Sequence, residues 1–122
     1  MKISVTIHSV AGFQGHTGLF NKSDLYVECH YGTFHSWHTK TAKDAGSSAD
    51  FEETWSFDVN ESHSEFTIKV RDARHLRLDE TLAEGAFKFE QRPGFYYSGE
   101  IGLVDEKHGD EPSVRLTVKC EE

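Results

Sequence analysis

Histidine has the widest chemical range of any side chain in this sequence, because imidazole binds metals and changes its charge near neutral pH. The 122-residue chain contains eight histidines. His35 and His38 are three residues apart, so on one strand they would point to opposite faces. His30 and His35 can face each other across a hairpin, but that pair supplies two ligands where structural zinc generally takes about four. We therefore interpret the histidines as surface residues rather than as a zinc site.

The sequence lacks the short patterns that fix a nucleophile beside a base. Gly-x-Ser-x-Gly, phosphate-loop and His-Glu-x-x-His motifs are all absent. Serine and histidine are plentiful, but no spacing assigns them to a common site. We predict that the protein is not an enzyme.

Charge and hydropathy exclude several other classes of function. The formal net charge of -8 argues against nucleic acid, whose phosphates require Lys and Arg, and against attraction of the whole surface to anionic lipid. The charge at one end of the domain can still differ from the average charge of the whole surface. No apolar run approaches the roughly 20 residues of a transmembrane helix. Residues 1–5 alternate between apolar and polar types, unlike the continuous apolar stretch of a signal peptide. A cytoplasmic location is therefore expected. Cys29 and Cys120 are predicted to be buried reduced thiols.

Apolar and polar residues alternate along most of the chain, which is typical of strands with one buried face. Turn-forming clusters separate about eight such runs, and only residues 81–89 are ambiguous between strand and helix. The pattern predicts an all-β protein, an eight-stranded antiparallel β-sandwich formed by residues 1–122 as a single domain. Its core should contain Ile3, Val5, Val27, Trp55, Phe57, Ile68 and Val70.

Three blocks of sequence, in order and at matching spacing, resemble the C2 domain family. Residues 3–11 are similar to its opening strand, and Lys22-Ser23-Asp24-Leu25-Tyr26-Val27 to its Lys-Ser-Asp-Pro-Tyr-Val motif. Residues 40–59 resemble its Lys-Thr strand, loop and Trp-x-Glu-x-Phe-x-Phe strand. A fourth, looser block, residues 66–72, resembles the strand that enters its third loop. Because the chain begins at the opening strand, it resembles the permuted type II variant, in which residues 113–120 would fill the vacated edge.

The resemblance implies a calcium site, in which about five acids from the first and third loops hold the ion. The acids at or beside those positions are Asp24, Asp72, Asp79 and Glu80. Gly18 and Arg74 stand where the family has two further acids. The guanidinium of Arg74 would place a positive charge among the carboxylates and can pair with Asp72 or Asp24. One interpretation is a weak calcium site formed by Asp24, Asp72 and Glu80; the favoured one is an arginine–carboxylate cluster without metal.

The same two loops carry apolar residues flanked by basic ones, as insertion into a lipid headgroup region requires. The residues proposed to contact a membrane are Phe13, Leu19, Phe20, Arg74, Leu76, Arg77 and Leu78. The alternative is that Phe13 and Leu19 fold back and cap the sandwich. Residues 12–24, 43–50 and 71–80 hold five Lys or Arg and six acids, so this end is close to neutral although the chain carries -8.

Two hypotheses about function follow. The first is a non-catalytic module for peripheral binding to a phospholipid membrane, with weak or absent calcium dependence. The second is a protein-interaction module that keeps the C2 scaffold without lipid or calcium binding. The incomplete acid set favours the second hypothesis, and the apolar loop residues favour the first.

Overall fold

The computed structural model describes residues 1–13, 23–74, 78–105 and 109–122, and these residues form eight β-strands. The predicted all-β class is confirmed. The strands are β1 (Lys2–Ala11), β2 (Leu25–Tyr31), β3 (His35–His38), β4 (Ala49–Asp58), β5 (Glu65–Asp72), β6 (Glu80–Lys88), β7 (Tyr96–Gly102) and β8 (Ser113–Glu121).

Two four-stranded antiparallel sheets form the sandwich, one in the order β4-β1-β8-β7 and the other in the order β3-β2-β5-β6. The last strand, β8, pairs with β1 on one side and with β7 on the other. It therefore lies inside its sheet, whereas the sequence had suggested an edge position. Assignment to the permuted type II variant stays a prediction.

Alternate residues of the strands meet between the sheets and form the core, as their period of two predicts. All seven residues predicted for the core are buried: Ile3, Val5, Val27, Trp55, Phe57, Ile68 and Val70. The indole rings of Trp37 and Trp55 stack almost parallel, 6.1 Å apart, where the edge strands β3 and β4 of the two sheets approach each other.

The ambiguous stretch of the sequence is a strand with an irregular register. β6 pairs with β5, but the pairing shifts between Val70 and Arg71. Because of this shift, the adjacent residues Leu82 and Ala83 are both buried, and the simple alternation is lost. The irregularity explains why hydrophobic periodicity alone did not identify this strand.

Strand register brings several connections to one end of the sandwich. Leu25 at the start of β2 pairs with Asp72 at the end of β5, and Asp72 pairs with Glu80 at the start of β6. The other end of β2 closes a short hairpin in which Tyr31 pairs with His35. The two ends of the molecule therefore present different loops.

Cys29 and Cys120 are free and buried, as predicted. Burial raises the pKa of the Cys29 thiol to about 12, so the thiol stays protonated at neutral pH. None of the described residues belongs to a helix long and apolar enough to cross a bilayer.

Candidate functional site

Three connections gather where β2 begins and β5 ends, and we call this region the loop end. Its described parts are residues 12–13 and 23–24 of the first loop, residues 39–48 of the second, and residues 73–74 and 78–79 of the third. The N–H of Phe13 donates to the carbonyl of Ser47 at 3.1 Å, and the N–H of Ala73 donates to the carbonyl of Asp24 at 2.9 Å. Backbone hydrogen bonds thus connect the loops to one another.

Asp24 and Asp72, two of the predicted metal ligands, each use a carboxylate oxygen to hold neighbouring backbone. The N–H of Asp24 donates to Oδ1 of Asp72 at 2.9 Å. The N–H of Asp44 donates to Oδ1 of Asp24 at 2.7 Å. Asp44 has a φ of 53°, a left-handed conformation that aspartate tolerates better than most residues. The two carboxylates therefore join parts of all three loops.

Arg74 lies between two of the acids that the family resemblance assigns to calcium. Its Nη2 forms an ion pair with the carboxylate of Glu80, and its Nε lies 3.7 Å from Oδ2 of Asp72. The pair with Asp72 is one that the sequence suggested, whereas the pair with Glu80 was not foreseen. Calcium takes roughly 6 to 8 oxygen ligands, and a guanidinium among these carboxylates does not fit such a cage. Across the described residues, no three His, Cys, Asp or Glu side chains are grouped as metal ligands.

Asp79, the fourth predicted ligand, has both carboxylate oxygens engaged by the protein. Oδ2 accepts the hydroxyl of Tyr26 at 2.6 Å, and Oδ1 accepts the N–H of Arg74 at 3.1 Å. The hydrogen bond from Tyr26 and that from the Arg74 backbone lower the pKa of Asp79. Burial, followed by the bond to Asp79, raises the pKa of Tyr26 to about 12. Asp79 therefore anchors the third loop to β2.

Arg71 strengthens this anchor from the neighbouring strand. It is the cross-strand partner of Tyr26. Its Nη2 donates to the carbonyl of Asp79 at 3.0 Å, and its Nη1 donates to the carboxylate of Glu28 at 3.3 Å. This network was not predicted from the sequence. The one feature of the sequence that points to it is the alternation of apolar and polar residues along β2 and β5. This alternation places Tyr26, Glu28 and Arg71 on the face of the sheet opposite the core.

The described residues proposed for membrane contact have different surroundings. Leu78 is 93% exposed and lies in the third loop. Phe13 is fully buried in the core, so its proposed membrane contact was wrong: burial of its aromatic surface is more favourable than exposure at a loop tip. Arg74 is one-third exposed and ion-paired, as described above. The other proposed residues, Leu19, Phe20, Leu76 and Arg77, lie outside the described residues.

A small pocket of about 160 Å³ opens between the second and third loops. Its lining consists of Asp24, Thr41, Lys43, Ala73 and Arg74. A backbone bridge between Leu25 and Ala42 holds the second loop beside the start of β2, where the pocket opens. Lys43 is exposed, and within the described parts of the chain it forms no ion pair. Sequence reasoning missed the contribution of Thr41 and Lys43, because only this backbone bridge reveals their proximity to the third loop.

The histidines of the β2–β3 hairpin do not face each other in the way considered from the sequence. His30 pairs in register with Ser36, and His35 pairs with Tyr31. The His38 ring packs edge-on against Tyr26, and its Nδ1 lies 2.8 Å from the carbonyl of Thr39. The hairpin therefore holds no opposed pair of His30 and His35.

The two sheets and the loops at one end agree with a comparison against protein families. The family model described as C2 domain matches residues 1–103. The chain belongs to the C2 domain family. A comparison of this C2 domain with curated proteins gives no match.

Solved structures show the same fold at low sequence identity. A C2 domain of plant extended synaptotagmin 1 has a TM-score of 0.80 and 13% identity, covering 96% of this C2 domain and 91% of that chain. Human GIVD cytosolic phospholipase A2 has a TM-score of 0.79 and 16% identity, covering 99% of this domain. A structure described as a C2 domain has a TM-score of 0.72 and 18% identity, covering 98% of both chains.

The likeness to the phospholipase covers 17% of that enzyme's chain, so it concerns a fold and not the enzyme's activity. C2 domains are in general non-catalytic, and they commonly bind membrane lipids or proteins.

Proposed function

We propose that this C2 domain is a non-catalytic module for peripheral membrane binding, which attaches to phospholipid through its loop end with weak or absent calcium dependence. The observation that carries the proposal is the pairing of Arg74 with Glu80 and Asp72. In this arrangement a side chain of the protein neutralises acids that would otherwise repel a lipid phosphate. A divalent ion is then not required for that neutralisation.

The exposed side chain of Leu78 supports attachment by the same loop. Leu78 directly precedes Asp79, whose carboxylate accepts the N–H of Arg74, so the apolar side chain belongs to an anchored segment. Moving one leucine side chain from water into the apolar part of a membrane contributes up to about 1.5–3 kcal/mol. Together with the near-neutral charge of the loop segments, this contribution favours an orientation with the loops toward the lipid.

We place this binding at the cytoplasmic surface of a membrane. The two free, buried thiols suit a compartment that keeps cysteine reduced. A protein-interaction role is the second candidate function. It is favoured by Phe34, which is 93% exposed in the hairpin turn away from the loop end. An exposed phenylalanine is suited to the apolar centre of a protein interface.

Co-sedimentation with phospholipid vesicles tests the proposal, with one series in calcium and a matched series in a chelator, each at two pH values. We expect the wild-type domain to pellet with vesicles to a similar extent in both series. Binding that requires calcium would contradict the role given to Arg74. Failure to bind vesicles under every condition would replace membrane binding with the protein-interaction function.

A further inference from the structure

We propose that the pocket between the second and third loops binds a zwitterionic phosphoethanolamine group, the headgroup of phosphatidylethanolamine. This inference rests on the proposed membrane function and names the lipid. The described lining of the pocket carries two cations and one anion: Lys43, Arg74 and Asp24. A lining with both signs of charge suits a ligand that also carries both.

The phosphate of the headgroup would bind on the side of Lys43 and Arg74. Lys43 has no carboxylate partner within the described residues, so its ammonium group is free to meet a phosphate oxygen. Arg74 uses Nη2 toward Glu80 and Nε toward Asp72, and its guanidinium has a further nitrogen with N–H donors. Thr41, which is exposed at the same pocket, adds a hydroxyl donor.

The ammonium of the headgroup would bind Asp24. Two hydrogen bonds between backbone N–H groups and carboxylates fix the position of Asp24. Its N–H donates to Oδ1 of Asp72 at 2.9 Å, and its Oδ1 accepts the N–H of Asp44 at 2.7 Å. Within the described residues, Oδ2 has no donor, so it is the oxygen left to accept a hydrogen bond from a ligand. A carboxylate held in this way needs little reorganisation to receive an ammonium group.

The lining distinguishes ethanolamine from the other common phospholipid headgroups. A primary ammonium donates N–H bonds to Asp24, whereas the quaternary ammonium of choline has no N–H. Choline sites surround the cation with aromatic rings, and no aromatic residue is among the described residues that line this pocket. The serine headgroup adds a carboxylate, which would lie close to the carboxylates of Asp24 and Asp72.

The size of the pocket and the charge of the chain agree with this ligand. A volume of about 160 Å³ is below the roughly 300–1,000 Å³ of pockets for drug-sized ligands and suits a small group such as a lipid headgroup. The net charge of -8 opposes approach to an anionic surface. A membrane rich in a zwitterionic lipid imposes no such opposition, because its headgroups carry no net charge.

Vesicle binding with headgroup variation tests the inference. The wild-type domain is titrated with vesicles of phosphatidylcholine alone, of phosphatidylcholine with phosphatidylethanolamine, and of phosphatidylcholine with phosphatidylserine, all in chelator. We expect binding to the ethanolamine vesicles to be about tenfold tighter than to the other two, the effect of one charge-assisted hydrogen bond. Asp24→Asn, which keeps an acceptor for the Asp44 N–H, should abolish the preference. Lys43→Gln should weaken binding to all three kinds of vesicle, because every one of these headgroups carries the phosphate. Lys88→Gln changes an exposed lysine at the far end of β6 and should preserve the preference.

A second experiment, with soluble headgroup compounds, separates recognition of the headgroup from recognition of the bilayer. Free phosphoethanolamine should shift the backbone amide NMR signals of Lys43 and Ala73, while phosphocholine and inorganic phosphate should shift them less. Equal binding to all three vesicle types, or a preference that survives Asp24→Asn, would overturn the headgroup assignment and leave membrane binding intact. Absence of binding to every vesicle would overturn the membrane function itself.

Discussion

The backbone N–H of Asp24 donates to Oδ1 of Asp72 at 2.9 Å, so one acid of the predicted calcium cage orients another. This bond connects the start of β2 to the end of β5 across the loop end. A hydrogen bond to a charged group contributes about 1.5–3 kcal/mol. Asp72→Ala should therefore lower the free energy of unfolding by about that amount, measured by urea denaturation. Asp72→Asn keeps an oxygen acceptor and should lower it less. Equal stability of the alanine variant and wild type would show that the bond contributes little.

Arg74 leads to a prediction about calcium. The wild-type domain should bind calcium with an affinity no better than about millimolar, because the guanidinium occupies the region between Asp72 and Glu80. Arg74→Asp combined with Gly18→Asp restores acids at both divergent positions and should strengthen binding, measured by calorimetry. Arg74→Lys keeps the positive charge and is the matched control, for which binding should stay weak. A micromolar site in the wild-type domain would contradict this account.

Trp55 leads to a prediction about the core. Trp55 is buried and packs against Phe57 with ring centroids 4.2 Å apart, whereas its stacking partner Trp37 is partly exposed. Trp55→Ala should lower the free energy of unfolding by about 3–5 kcal/mol, because it leaves a large cavity. Trp37→Ala should cost less, since the site opens to solvent. Urea denaturation of both variants measures which one loses more free energy of unfolding. A larger loss for Trp37→Ala than for Trp55→Ala would contradict the assignment of Trp55 to the core.

The sequence predicted the sandwich because burial of one strand face leaves a period of two, which Val27, Trp55 and Ile68 report directly. It also predicted that Arg74 can pair with Asp72. It left open whether Phe13 is buried or exposed, since an apolar residue among glycines looks the same whether it points outward or inward. The Tyr26–Asp79 bond and the approach of Lys43 to Arg74 depend on strand register and on the path of the loops. Residue types and spacing do not specify those distances.

Leu78 and Phe34 provide a matched pair for testing the orientation on a membrane. Both side chains are 93% exposed, but Leu78 lies in the third loop and Phe34 in the hairpin turn away from the loop end. Leu78→Ala should weaken binding to phospholipid vesicles by several-fold, because it removes about 25 cal/mol per Å² of inserted apolar surface. Phe34→Ala should leave binding unchanged. Both variants should unfold at the same temperature as wild type, and loss of binding only in Phe34→Ala would place the membrane at the other end.

Burial of Tyr26, together with its bond to Asp79, gives the domain a pH dependence at two extremes. The pKa of Tyr26 is raised from 10 to about 12, so the folded state keeps a proton that the unfolded state releases. Stability from this group is full below pH 10 and falls as the pH rises toward 12. The pKa of Asp79 is lowered from 3.8, so its contribution is present above that value and is lost as the pH falls through the lowered pKa.

Tyr26→Phe removes the hydroxyl and should reduce both the loss of stability above pH 10 and the loss of stability in acid. The free energy of unfolding of this variant should be lower than that of wild type at neutral pH, and the difference should narrow both above pH 10 and in strong acid. Phenolate absorbance provides the direct measurement, because the wild-type domain should show a tyrosine titrating near pH 12 that Tyr26→Phe lacks. Tyr96→Phe changes an exposed tyrosine and should keep that step. If the phenolate step that Tyr26→Phe loses lies near pH 10, the hydroxyl of Tyr26 is not held by Asp79, and the third loop must be anchored through Arg71 instead.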